Sequence, residues 1–238
     1  MNKIIYNFQH SLNGLFREYI LGLATHDIGI QLLQKDRSAS ISIKLSGDSQ
    51  SEPIYASELF DKRIAVRNAV SELFQAKAVA VWADLLQDIY RALVNEHVTG
   101  VRKHHLPKSK SFAYDFSSTE TAEAQVVRNA VNGFSFLPYK EKYKIICKLL
   151  KLQAMTSQAD FIHKHVEIRN AFQHHGGKIH SGGLDALNLS SITILDDDSR
   201  PYMIRLGDEI HLSSIEIDIL KSNLFVLTSF MEKSFEKN

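Results

Sequence analysis

The chain has 238 residues, 44% of them hydrophobic and 23% charged, which is enough apolar material to bury a core and argues against disorder. Its 28 basic and 27 acidic side chains leave a formal charge of +1, so whole-molecule electrostatics do not point to nucleic acid and any such binding must come from local basic patches. The single cysteine, Cys147, excludes an internal disulfide and a cysteine-built zinc site, and fits a reducing compartment.

The opening stretch MNKIIYNFQHSLNGLF does not read as a signal peptide, because Asn7, Gln9, His10 and Asn13 interrupt its apolar residues. Ile4, Ile5, Phe8, Leu12, Leu15, Phe16, Tyr19, Ile20 and Leu23 instead recur at helical spacing and predict an amphipathic helix over about 2–24. Alternation of polar and apolar residues from Ser40 to Leu45 predicts a short strand, and Ser46–Pro53 reads as a loop. A long helical stretch from Ala56 to His97, broken or bent once, carries no internal proline or glycine and stops at Gly100. Cys147 lies in an apolar helical pattern and is expected in the core.

Val101–Lys110 is a basic loop around Pro107. Ser117-Ser118-Thr119-Glu120 offers a capping box for a helix over Thr119–Asn132, and Gly133 and Pro138 separate it from another over Tyr139–Gln153. Ser157 with Asp160 opens a helix running to His174, which Gly176-Gly177 stops. Ile192–Leu195, the turn Asp196–Ser199 and Tyr202–Leu206 predict a hairpin that Ile210–Leu212 extends. Ser213 or Ser214 then caps a last helix over Ile215–Glu236. The expected fold is mainly α, a helical bundle with a small β-hairpin element near the C-terminus.

No window approaches the roughly 18 apolar residues of a spanning helix, so a soluble, cytoplasmic protein without a membrane partner is expected. Phosphate-binding glycine loops, the dinucleotide fingerprint, His-Glu-x-x-His and a nucleophile elbow are all missing from the sequence. What remains is Arg169-Asn170-Ala171-Phe172-Gln173-His174, at the end of a helix and followed by glycine.

This segment resembles the HEPN superfamily, whose signature is Arg, four to six residues, then His, commonly with Asn or another polar residue after the Arg. The glycine turn, hairpin region and closing helix are similar to many members, so the resemblance extends loosely over the C-terminal half. It implies one HEPN-like domain over 1–238, with 1–110 as a possible elaboration and 111–238 as the core. It further implies a metal-independent endoribonuclease acting as a homodimer, of the toxin or defence type, with an antitoxin or regulatory protein as a further partner. A non-catalytic RNA-binding or dimerisation module is the alternative.

The chemistry of the catalytic candidates Arg169, Asn170 and His174 suits that activity. A histidine can take the 2′-hydroxyl proton, and a guanidinium can fork onto the phosphate oxygens as they gain charge. Asn170, four residues before His174, shares its helical face and can orient it or touch substrate. Arg169 and His174, however, are about 140° apart on an ideal helix, which calls for a frayed last turn or a second copy of the helix. Both also suit a helix C-terminus for electrostatic reasons alone.

His163, His165, His174, His175 and His180 crowd one region, but clean acidic ligand spacing is lacking apart from Asp160 and Glu167, and neither metal nor cofactor is expected. The RNA-binding candidates are Arg102, Lys103, His105, Lys108 and Lys110 of the basic loop, with His175 beside the motif. Phe112 and Tyr114 are placed to stack on bases.

Overall fold

Helices dominate the computed structural model, which describes residues 2–36, 38–42, 44, 47, 49–107, 114–152 and 155–236. The fold is mainly α with a C-terminal hairpin, as the periodicities require. Helix α1 (Asn2–Leu33) buries Ile5, Phe8, Leu12, Tyr19 and Leu23 along one stripe and runs a further two turns beyond the expected end. After it, β1 (Ser40–Ile41) pairs antiparallel with β2 (Ile54–Tyr55), a shorter strand than Ser40–Leu45. Ile43, Leu45, Ser46 and Asp48 of the expected strand and loop lie outside the described residues.

The long helical stretch is broken once, into α2 (Ala56–Asp61) and α3 (Arg63–Val98). Gly100, at φ +77°, follows the end of α3. Helix α3 is the central strut, and α1 lies antiparallel along it. Phe8 meets Trp82 edge to face, the Tyr19 hydroxyl is 3.0 Å from Ser71 Oγ, and a Cβ on Gly22 would be 3.4 Å from Val70. Helix α4 (Ala122–Ser135) packs on the far half of α3 through the stacked rings of Tyr90 and Phe134, 4.2 Å apart. Its N-cap is Thr121, whose side chain accepts from Ala124 N, rather than the upstream Ser117–Glu120 box.

Helix α5 (Tyr139–Leu149) follows the turn at Pro138 and holds Cys147 in the core. It ends before Gln153, which lies outside the described residues. Helix α6 (Thr156–His174) begins at Thr156 with Met155 as N-cap and no side-chain cap, so Ser157 does not serve that role. A short helix, α7 (Ser181–Leu187), follows, at a place where Gly182 and Gly183 predict none. Strands β3 (Ile192–Leu195) and β4 (Pro201–Ile204) form the hairpin, with Ile192 opposite Ile204 and Leu195 opposite Pro201. Residues 210–212 do not extend it; only Glu209 bridges back, to Lys178.

Ser213 Oγ accepts from Glu216 N and opens α8 (Ser214–Glu236). Lys221 sits over the Phe16 ring and Gln9 donates to Thr228, so α8 closes the bundle along α1. One continuous core joins α1, α3, α4, α5, α6 and α8 with the hairpin. Among the described residues no helix is long and apolar enough to cross a membrane.

Candidate active site

The site is built on α6, whose two sides have different surroundings. On one side His165 and Lys164 reach Glu216 of α8, with Nε2 and Nζ at 3.1 and 2.6 Å from the same carboxylate oxygen. The other oxygen accepts from Leu195 N at 3.0 Å, so the hairpin, α6 and α8 meet at one carboxylate. Gln75 of α3 donates to the His165 carbonyl at 2.6 Å. These bonds fix the rotation of α6 about its axis and thereby decide which residues face the other way.

That other side opens on a cleft of about 760 Å³, walled by α3, the start of α5 and α7. Its apolar floor includes Val79, Trp82, Leu86 and Val166. Its polar lining includes His163, Glu167, Arg169 and Asn170 from α6, facing Lys140, Lys142 and Lys144 from α5. With Glu141, the ionised lining is four cations against two carboxylates, an excess of positive charge on a nearly neutral protein. Partial burial lowers the Lys142 amine, while Lys140 and Lys144 stay exposed at the mouth.

The Arg169 side chain forms no ion pair or hydrogen bond with a described residue, and its Nε is buried without an acceptor. A buried donor without a partner costs about 1–3 kcal/mol, which an anion in the cleft would relieve. Asn170 Nδ2 donates to Glu167 Oε2 at 3.3 Å. His163 stacks on Tyr139, ring centres 5.3 Å apart, and its Nε2 is 3.6 Å from Glu167 Oε1. That separation is within ion-pair range but beyond a hydrogen bond, and the His163 ring makes no hydrogen bond with a described residue. Burial raises the Tyr139 phenol strongly, so it stays protonated.

His174 is placed differently. Helix α6 remains regular to its last residue, and Ala171 O accepts from both His175 N and Gly177 N. Gly176 and Gly177 turn the chain away at φ +60° and +76°. There is thus no frayed turn to bring His174 round to Arg169. His174 is exposed at the helix end and does not line the cleft. It shares its stripe with His163, Glu167 and Asn170, since offsets of 4, 7 and 11 residues fall within about 60° on a helix.

The remaining candidates lie apart. His175 stacks on His180, ring centres 3.7 Å apart, and neither lines the cleft. A Cβ on Gly183 would sit 3.3 Å from His180 Nε2 and 3.6 Å from Glu167 Oε2, so glycine lets α7 press against both. Arg102, Lys103 and His105 are exposed in the loop after α3 and none lines the cleft. In that loop His104 pairs with Glu96 at 2.9 Å, and Arg102 N donates to Glu96 O. Lys108, Lys110 and Phe112 lie outside the described residues, while Tyr114 packs edge-on against the exposed Phe116.

His163 and Glu167, which the sequence brings to notice only as possible metal ligands, enter the cleft together because four residues apart they share one face of α6. The α5 lysines had no such signal, because only the tertiary packing brings α5 opposite α6. Among the described residues no group of three or more His, Cys, Asp or Glu is arranged to hold a metal ion. Searches against family models, curated proteins and solved structures find no match to this chain, so the likeness to the HEPN superfamily rests on the Arg169-Asn170-x3-His174 segment and the helical arrangement around it.

Proposed function

We propose that the protein is a metal-independent endoribonuclease of the HEPN type, cytoplasmic and active as a homodimer. The observation that carries this reading is Arg169: a permanent cation, without a side-chain partner among the described residues and with a buried orphan donor, in a cleft whose facing wall carries three lysines. In this reading the guanidinium forks onto the phosphate to be cleaved and stabilises the growing negative charge of the phosphorane. His174 accepts the 2′-hydroxyl proton, Asn170 holds the substrate, and the α5 lysines carry flanking phosphates. A toxin or defence role, with a neutralising protein partner, accompanies the family resemblance.

The separation of His174 from the cleft has one remedy within this reading, a second copy that brings its own helix end to the Arg169 side. The same separation favours, as the second reading, a module that binds RNA or dimerises without cutting.

The test is cleavage of mixed cellular RNA by purified protein in excess EDTA, beside Arg169→Ala and His174→Ala. We expect wild-type cleavage that each substitution lowers at least about 100-fold, with the fold retained, because both side chains lie off the core. Binding of RNA without cleavage would select the second reading. Equal cleavage by all three proteins would remove this segment from consideration as the site.

A further inference from the structure

Transesterification of RNA needs two proton transfers, one from the attacking 2′-hydroxyl and one to the departing 5′-oxygen. A single histidine per site supplies only one of them. We infer that His163 is the second proton-transfer group of this cleft, and that it acts with His174 of a second copy rather than with its own. This inference rests on the ribonuclease reading, two-copy site included, and adds to it a catalytic residue.

The geometry around His163 is that of a working group more than a structural one. Its ring is held from one face by Tyr139, and its side chain is 7% exposed, yet it lines the cleft and makes no hydrogen bond with a described residue. Glu167 stands 3.6 Å from Nε2, where it provides counter-charge to an imidazolium without tying up the N–H. His165, two residues on, is by contrast bonded to Glu216 and wholly enclosed. Arg169 and His163 line the same cleft from the same helix, about 9 Å apart along its axis and about 120° apart around it, so it is the length of the guanidinium side chain that lets one phosphate lie between them.

The other histidine is too far away. His163 and His174 are eleven residues apart on a regular helix, about 16 Å, whereas the attacking and leaving oxygens flank one phosphorus atom. One copy therefore cannot present both rings to one phosphate. Across a two-fold interface, His163 and Arg169 of one copy meet His174 of the other, giving two composite sites per dimer.

At each site, His174 takes the 2′-hydroxyl proton as the O2′–P bond forms. Protonated His163 gives its proton to O5′ as the P–O5′ bond breaks. The products are a 2′,3′-cyclic phosphate and a 5′-hydroxyl, and the two rings exchange their protons with water before the next turnover. No oxidant, reductant or further reactant is required.

Subunit complementation of the full-length protein tests this arrangement. His163→Gln and His174→Ala are each expected to cut a single-stranded oligoribonucleotide at least about 100-fold more slowly than wild type. In a heterodimer of the two, one composite site loses both histidines and the other keeps both. Unfolding and reassociating an equal mixture should therefore recover about a quarter of wild-type activity, since half the dimers are mixed and each has one intact site of two. Recovery also proves that both variants fold; His163→Asn, with a thermal melt, is the second variant at that position. An oligonucleotide whose 5′-bridging oxygen is replaced by sulfur needs no acid at its leaving group. His163→Gln should cut it within about threefold of wild type, and His174→Ala should not.

Folded His163→Gln or His163→Asn that cuts ordinary RNA at the wild-type rate overturns the inference while leaving the ribonuclease reading intact. A mixture that recovers nothing overturns the two-copy arrangement. Wild-type protein that cuts no RNA overturns the inference together with the reading on which it rests.

Discussion

His163 and His165 leave α6 about 160° apart, and each meets a glutamate with a different outcome. His165 is enclosed at 0% exposure, its Nε2 3.1 Å from a carboxylate that Lys164 and the Leu195 amide also address. The neutral ring donates from Nε2, which leaves its Nδ1 and the neighbouring Gln75 Oε1 as acceptors without donors. The His163 ring stands 3.6 Å from Glu167, with no hydrogen bond to a described residue and a cleft in front of it. The first pair joins hairpin, α6 and α8 and so serves the fold. The second leaves hydrogen-bonding capacity open at a cationic cleft, where a ligand can use it.

Breaking the first pair should have the largest effect. Glu216→Gln leaves the Lys164 ammonium, 13% exposed, without its counter-charge in a shielded position. The expected loss is about 3–5 kcal/mol of unfolding free energy, read by urea denaturation at pH 7.5. A loss below about 1 kcal/mol would mean that the hairpin is anchored by apolar packing alone.

Acid should weaken the same pair more gradually. Burial alone would raise the Glu216 carboxyl, but the His165 hydrogen bond and the Lys164 charge overcome it and hold the group at about 2. Burial pushes the His165 imidazole down. Both groups bind protons less readily in the folded chain than in the unfolded one, so both stabilise the fold at neutral pH. The His165 share is complete above the free-histidine value near ~6.5 and is lost as pH falls below it. The Glu216 share is complete above about 4.5 and is lost as pH falls toward about 2. Each group contributes at most about 1.4 kcal/mol per pH unit. The urea midpoint should therefore decline in two stages, and Glu216→Gln should flatten the lower one. A midpoint constant from pH 7.5 to 4 would contradict the buried neutral state of His165.

The helices were legible because their apolar residues recur at 3.6-residue spacing, as at Ile5, Phe8, Leu12 and Tyr19. The hairpin was legible from its acidic turn, where Asp196 Oδ1 accepts from both Asp198 N and Arg200 N. Helix α7 was not, because Ser181-Gly182-Gly183 reads as a breaker and its helix depends on packing against α6. At the site, Arg169 and Asn170 could be read from a local segment. The cleft could not, because its lysines lie 25 to 29 residues upstream of Arg169 on α5 and only packing sets them opposite α6. Likewise the rotation of α6 that turns His163 to the cleft depends on Glu216, 51 residues from His165 in sequence.

Glu167→Gln sharpens the comparison with the smallest expected effect on the fold. The replacement has the same shape, and its amide oxygen can still accept from Asn170 Nδ2, the one hydrogen bond Glu167 makes with a described side chain. No hydrogen bond to His163 exists to be lost, so the stability change should stay below about 1 kcal/mol. What changes is the counter-charge beside His163. Cleavage of ordinary RNA should fall about tenfold, while the sulfur-bridged oligonucleotide, which asks nothing of the acid, should be cut at nearly the wild-type rate. Glu167 would then be a positioning residue whose effect passes through His163. If Glu167→Gln instead lost about 3 kcal/mol of stability, like Glu216→Gln, the two pairs would be equivalent structural contacts, and His163 would belong to the fold rather than to the chemistry.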